Sequence, residues 1–215
     1  MKWGTSREIS LAFEVRTPTI SRVFFMPYDL TQVYQPDADS YLLLDAGLAE
    51  ARPGDRILEV GTGSGLIASE LIRICPTVIA TDINPHAACC AREKGIDVIQ
   101  SDLFCGIRCS FDLILFNPPY LPTRSEERID DWFEHALDGG LNGRAVIERF
   151  SEQVIHVLAP GGRILLLISS LTGLPEVRDL FFKAGFVSQI ILRKNVEDEI
   201  LYVIKIVRQG QPFPE

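Results

Sequence analysis

No stretch of this sequence approaches the roughly 18 consecutive apolar residues that a membrane helix needs. Its first residues, MKWGTSREISLAFEVR, also lack the basic head and apolar run of a secretory leader. A cytoplasmic protein is therefore expected. Positive charge is scarce as well: 21 Lys and Arg stand against 29 Asp and Glu, a formal net charge of −8. Such a field repels phosphodiester backbones and argues against nonspecific nucleic-acid binding. Cysteine is sparse and odd in number, five in all, and Cys89 and Cys90 are adjacent in a helical pattern. A disulfide framework is excluded in favour of reduced thiols. Cys105 and Cys109 have neither a second cysteine pair nor a nearby histidine to complete four ligands, so no metal site is predicted. Internal repeats and low-complexity segments are missing too.

What remains is a globular composition, 47% hydrophobic and 23% charged over 215 residues, enough for one domain. Residues 1–33 read as an N-terminal extension with a strand expected at 11–16, residues 34–208 as the main domain, and residues 209–215 as a frayed tail. From residue 56 onward short β-branched runs alternate with helical patterns, the mark of a parallel sheet covered on both faces. Strands are predicted at 56–61, 78–83, 98–102, 111–117 and 163–169. Two more, at 186–193 and 200–207, are separated only by a short turn and form an antiparallel C-terminal hairpin. The fold class is thus α/β: a Rossmann-like, seven-stranded, mostly parallel sheet with helices on both faces. Between strands, RAVIERFSEQVIHVLAPGG is expected to place Val146, Phe150, Val154, Val157 and Leu158 on one helical face and to stop at Pro160.

The stretch LEVGTGSG opens a helix at a strand end, where glycine lets the backbone turn tightly and approach a ligand. Gly61, Gly63 and Gly65 give the spacing GxGxG and not the GxGxxG of a dinucleotide fingerprint. Glu59 precedes them. A carboxylate there is unwelcome beside a pyrophosphate and acceptable beside a cationic sulfonium or ammonium. Asp82 ends the next strand, where a carboxylate can accept the ribose hydroxyls of a nucleoside. Asp102 and Leu103 follow the third strand as an acceptor and an apolar wall for an adenine edge. The alternative for Asp82 and Asp102 is capping of the turn or helix that follows.

The fourth strand ends in NPPY. An amide or exocyclic amine is a poor nucleophile because its lone pair is delocalised. The Asn117 side-chain oxygen and the Pro118 carbonyl can accept its two N–H hydrogens, draw the nitrogen toward tetrahedral geometry and aim the lone pair. Pro118 and Pro119 stiffen the loop, and Tyr120 can lie against the planar group. No general base is needed before transfer, which agrees with the lack of histidine beside the motif. Asn117 capping a turn, with prolines merely ending a strand, is the bland alternative.

Glu59, the glycine turn, Asp82, Asp102 and NPPY together resemble the class I S-adenosylmethionine-dependent methyltransferases that act on nitrogen conjugated to a planar system; the resemblance spans residues 33–207. VYQPDADSYLLLDA, FNPPYLPT and ALDGGLNGRAVIERF narrow it to the release-factor glutamine methyltransferases, and the short chain is similar to their archaeal and eukaryotic branch. The resemblance implies S-adenosylmethionine as cofactor, held by Ser40, Glu59, Gly61, Gly63, Gly65, Asp82, Asp102, Leu103 and Asn117. It implies that Asn117, Pro118, Pro119 and Tyr120 hold the glutamine of the Gly-Gly-Gln loop of a class 1 peptide-chain release factor. The family's glutamate before the aspartate is replaced by Ala38 here, so no role passes to that side chain; Tyr34 and Asp39 match, Asp39 doubling as a candidate helix cap. The branch also implies a small zinc-binding methyltransferase activator, paired as a heterodimer along the exposed third strand DVIQSD. The motif itself leaves N6-methylation of adenine in DNA or RNA open. The segment PTRSEERIDDWFEHALDGGLN, with two arginines against six acidic residues, favours a basic protein loop over a base flipped from a polyanion.

Overall fold

The computed structural model describes residues 28–123 and 131–213. The strand expected at 11–16 lies outside the described residues, as do Arg124, Glu126, Glu127, Arg128 and Asp130 of the acidic segment. In chain order the elements are α1 (Ala38–Glu50), β1 (Arg56–Val60), α2 (Leu66–Leu71), β2 (Thr77–Asp82), α3 (Pro85–Glu93), β3 (Asp97–Gln100) and β4 (Phe111–Phe116). Then come α4 (Trp132–His135), α5 (Ala145–Gln153), β5 (Leu158–Ser169), α6 (Leu174–Lys183), β6 (Phe186–Val196) and β7 (Glu199–Arg208). They build one seven-stranded sheet in the order β3-β2-β1-β4-β5-β7-β6. The first five strands are parallel, and β7 runs antiparallel between β5 and β6.

Strand periodicity divides the core. Leu58, Val60, Ile114, Phe116, Ile164 and Leu166 point to one face, where Ile147 and Phe150 of α5 and Val177 and Phe181 of α6 cover them. Their alternates Ile57, Leu113, Leu115, Leu165 and Leu167 face α1 and α2, against Leu43, Ala46, Ala68 and Leu71. Burying one such aliphatic side chain stabilises by about 1.5–3 kcal/mol, and a central strand buried on both faces therefore reads as a continuous apolar run.

The helices start where local chemistry directs them. Asn84 caps α3 by accepting the His86 N–H at 2.9 Å, with Pro85 at the first helical position. Asp37 caps α1, accepting the Ala38 N–H at 2.6 Å.

Two expectations are corrected. Helix α5 ends at Gln153 in a 3-10 turn, Val154–His156, and β5 begins at Leu158, so Pro160, Gly161 and Gly162 lie within a strand. A register shift makes this workable: Phe111 pairs with Leu158 while Leu113 pairs with Arg163, so β5 bulges where the proline lacks a ladder donor. On α5, Ile147 is the buried partner of Phe150, whereas Val146 is half-buried and faces a cavity. The β1, β2, β3 and β4 ladders also end one or two residues before their predicted limits, which leaves Gly61, Ile83, Asp102 and Asn117 to loops.

Beneath the sheet, at the end opposite those loops, Arg163 is 2% exposed and pairs with Asp55 at 2.6 Å, while buried Lys205 pairs with Glu50 at 2.9 Å. This ionic cluster ties the end of α1 to β1, β5 and β7.

Candidate active site

Strand order reverses between β1 and β4, whose last residues Val60 and Phe116 are paired. The chain leaves these two strands toward opposite sides, so a crevice opens at their carboxyl ends. A cavity of about 440 Å³ occupies that position. It is lined by Ser40, Glu59, Gly61, Gly63, Asp82, Asp102, Leu103, Asn117, Pro118, Pro119 and Tyr120, which gathers all but one of the residues singled out from the sequence. The exception is Gly65. Its φ of 78° starts α2, and a Cβ there would come within 2.9 Å of Ile96 and 3.0 Å of Ala91. Its requirement for glycine comes from packing α2 against α3, and it does not line the cavity.

Glu59 is 3% exposed, and its Oε2 accepts the Thr62 hydroxyl at 2.7 Å and the Ala68 N–H at 3.0 Å. Burial outweighs both bonds and pushes its carboxyl up to about 8. Asp82, at the end of β2, accepts the Gly63 N–H at 2.8 Å and the Asn84 N–H at 2.9 Å, which ties the glycine loop to the neighbouring strand. Burial raises its carboxyl above the usual range, against these backbone bonds. The Asn84 bond makes it a turn former, yet it still borders the cavity. Leu103 lies 6% exposed with a φ of 48°, and Asp102 pairs with Arg149 of α5 at 2.6 Å. The lining carboxylates are Asp39, Glu59, Asp82, Asp102, Asp138 and Glu199; the one lining Arg or Lys among the described residues is Arg149, already joined to Asp102. This set suits a cationic nucleoside such as S-adenosylmethionine and disfavours a pyrophosphate.

At the end of β4, Asn117 donates from Nδ2 to Asp39 Oδ2 at 3.0 Å, while its buried Oδ1 has no hydrogen-bond partner. An orphaned buried acceptor costs about 1–3 kcal/mol, so its persistence at a cavity wall marks a place where a donor arrives with a ligand. Tyr120 directs its hydroxyl toward Asp39 Oδ2 at 3.5 Å, and burial with the nearby carboxylates raises its phenol above the ordinary value. The loop after NPPY is clamped by the DGGLNG turn. Leu121 donates to the Leu137 carbonyl at 3.2 Å and accepts from Gly139 N–H at 2.9 Å. A Cβ on Gly139 would meet the Pro119 carbonyl oxygen at 2.9 Å, and one on Gly143 would collide with that of Tyr120. These glycines let one backbone lie against the other.

Asp39 was matched in the sequence only as part of a motif and a candidate helix cap, and Glu199, Trp132 and His135 were not singled out as site residues at all. Asp39 is no helix cap, because Asp37 holds that position; it is 4% exposed and meets Tyr34, Asn117 and Tyr120. Glu199 opens β7 and accepts from the Ser169 hydroxyl. Trp132 and His135 close the rim from α4, whose first N–H bonds Gln32 Oε1 at 3.0 Å. Only the pairing of distant segments reveals them. Among the described residues no group of three or more His, Cys, Asp or Glu could hold a metal ion, and no helix is long and apolar enough to cross a membrane.

The sequence matches the family described as "Methyltransferase small domain" over residues 33–191. It is 39% identical over 184 residues to a Methanocaldococcus jannaschii protein with the provisional name of a protein N5-glutamine methyltransferase, covering 82% of this chain and 92% of that one. It is 34% identical over 194 residues to methyltransferase HEMK2 of Homo sapiens, covering 83% and 91%. Among solved structures it resembles the E. cuniculi Mtq2-Trm112 complex responsible for methylation of the translation termination factor eRF1, with 30% identity and a TM-score of 0.70 over 83% of this chain and 99% of that one. The chain therefore belongs to the methyltransferase small domain family, within its release-factor glutamine methyltransferase group of S-adenosylmethionine-dependent enzymes.

Proposed function

We propose that this chain methylates the N5 nitrogen of the glutamine in the Gly-Gly-Gln loop of a class 1 peptide-chain release factor. The observation that carries the reading is Asn117, whose Oδ1 has no hydrogen-bond partner, followed by Pro118 in the lining of an acidic cavity. When bound, S-adenosylmethionine supplies an electrophilic methyl group on a sulfonium. Glu59 and Ser40 would hold its methionine end, Gly61 and Gly63 would let the backbone approach, Asp82 would accept from the ribose, and Asp102 with Leu103 would border the adenine.

Asn117 Oδ1 and the Pro118 carbonyl accept the two N–H hydrogens of the carboxamide, which loosens its lone pair from the carbonyl and points it along the transfer line. Pro119 stiffens the turn and Tyr120 fixes the plane of the amide, so most of the rate comes from positioning. As the C–N bond forms and the C–S bond breaks, the sulfonium would leave as a neutral thioether; the nitrogen becomes acidic only then and releases its proton to water, so no strong base is required beforehand.

The lining carboxylates favour a polypeptide with basic neighbours, in keeping with the related E. cuniculi Mtq2-Trm112 complex, which methylates the termination factor eRF1. A small activator protein, zinc-binding in this reading, adds alongside β3, the outermost strand of the described sheet, where Ile99 is 43% exposed. The test uses labelled S-adenosylmethionine with, in parallel, a Gly-Gly-Gln release factor, the same factor with Gln replaced by Ala, and adenine-containing DNA and RNA. Label in the intact factor alone is expected; label in nucleic acid alone overturns the reading.

A further inference from the structure

The N-terminal turn of α1 brings into the cavity a buried carboxylate that the proposed chemistry leaves without a role. Asp39 uses its two oxygens differently. Oδ1 accepts from the backbone and hydroxyl of Ser40, a local contact within α1. Oδ2 accepts from Tyr34 at 3.0 Å, from Asn117 Nδ2 at 3.0 Å and from Tyr120 at 3.5 Å, all distant in the chain or outside the helix. Capping of α1 falls to Asp37, so the Oδ2 contacts serve nothing in the helix.

A carboxamide has two flip states that differ only in which end carries the donors. With Asn117 turned the other way, its carbonyl would face the Asp39 carboxylate and its NH₂ would replace the unpaired Oδ1. Two acceptors in contact repel, and a donor presented to a donor cannot bind it. We infer that Asp39 is a positioning residue that fixes the flip state of Asn117, so that Oδ1 is held ready for the N–H of the acceptor amide. This rests on the methyl transfer proposed above. The Tyr34 hydroxyl takes the second lone pair of Oδ2 at 3.0 Å, with the Tyr120 hydroxyl further off at 3.5 Å, and these contacts keep the carboxylate from turning away.

The charge on residue 39 matters beyond its shape. An asparagine in its place keeps the volume, but one carbonyl must then serve all the donors and its own NH₂ adds two more. Asp39→Asn is therefore the central variant, and Asp39→Ala a harsher one. Cofactor affinity by calorimetry is expected within about threefold of the wild type. Turnover is expected to fall about 10²-fold, with the KM for the protein acceptor changed less than about threefold. The side-chain amide of Asn117, assigned in ¹⁵N spectra through an Asn117→Asp variant, is expected to show one proton shifted by the carboxylate bond, a signature that Asp39→Asn removes.

The reciprocal pair Asp39→Asn with Asn117→Asp rebuilds the contact with donor and acceptor exchanged and still offers an oxygen to the substrate. Its turnover is expected at least about tenfold above Asn117→Asp alone, in which two carboxylates face each other. Wild-type turnover in Asp39→Asn, or lost turnover with unchanged Asn117 amide resonances, overturns the inference. Full activity of Asn117→Ala would instead overturn the reaction proposed for the site. If Asp39→Ala fails to fold, Asp39→Asn and the reciprocal pair decide.

Discussion

Glu59 accepts the Thr62 hydroxyl at 2.7 Å, and even with this bond its carboxyl is pushed up to about 8 by burial. The folded chain therefore keeps a proton there that the unfolded chain releases near 4.5. Between those values the folded state binds more protons, so stability declines as pH rises from about 4.5 toward 8. Thermal midpoints measured across this range are expected to fall more steeply for the wild type than for Glu59→Gln.

A cation beside Glu59 favours its charged form. Binding of S-adenosylmethionine is then expected to release protons near neutral pH and to tighten as pH rises toward 8. Calorimetry in buffers of different ionisation enthalpy reads this release. It should vanish in Glu59→Gln.

Asn117→Ala removes one aimed acceptor and leaves the contacts expected for the adenosine untouched. Turnover should fall by about 10² or more while cofactor affinity stays within about threefold. Single-turnover transfer together with equilibrium binding separates the two effects.

Arg163 lies 2% exposed and joins Asp55 at 2.6 Å, far from the cavity. Arg163→Leu leaves Asp55 buried without this partner and is expected to cost about 3–5 kcal/mol. Chemical denaturation measures the loss, and activity per folded molecule should stay close to wild type.

Ile99 is 43% exposed on the edge strand β3. Placing a charge there with Ile99→Asp should weaken the proposed activator heterodimer without altering cofactor affinity in the isolated chain. Size-exclusion chromatography of the co-expressed pair reads the first effect, and calorimetry of the single chain the second.

The order of elements was legible in the chain because each strand of a doubly covered sheet is an apolar run set between turn residues. β1, β2 and β4 are found within a residue or so of their expected limits. The β5 start was misread for a physical reason: Pro160, Gly161 and Gly162 look like a stop, yet a bulge against β4 accommodates them inside the strand. Gly65 was singled out for a spacing that matches a ligand loop; its close approach to Ile96 and Ala91 on a neighbouring segment, a second reason for glycine, was not legible along the chain.

The sequence by itself determined the sheet, the loop that ends in NPPY, the acidic residues that close β1 and β2, and the negative balance that disfavours a polyanion. These depend on local periodicity, turn chemistry and charge, all written along the chain. Only the tertiary structure decided that Asp39, 78 positions away, accepts from the Asn117 amide at 3.0 Å, and that Glu199 and Arg149 complete the cavity. Such contacts depend on which strands become neighbours, and a side chain's partner across the sheet has no signature in its own surroundings.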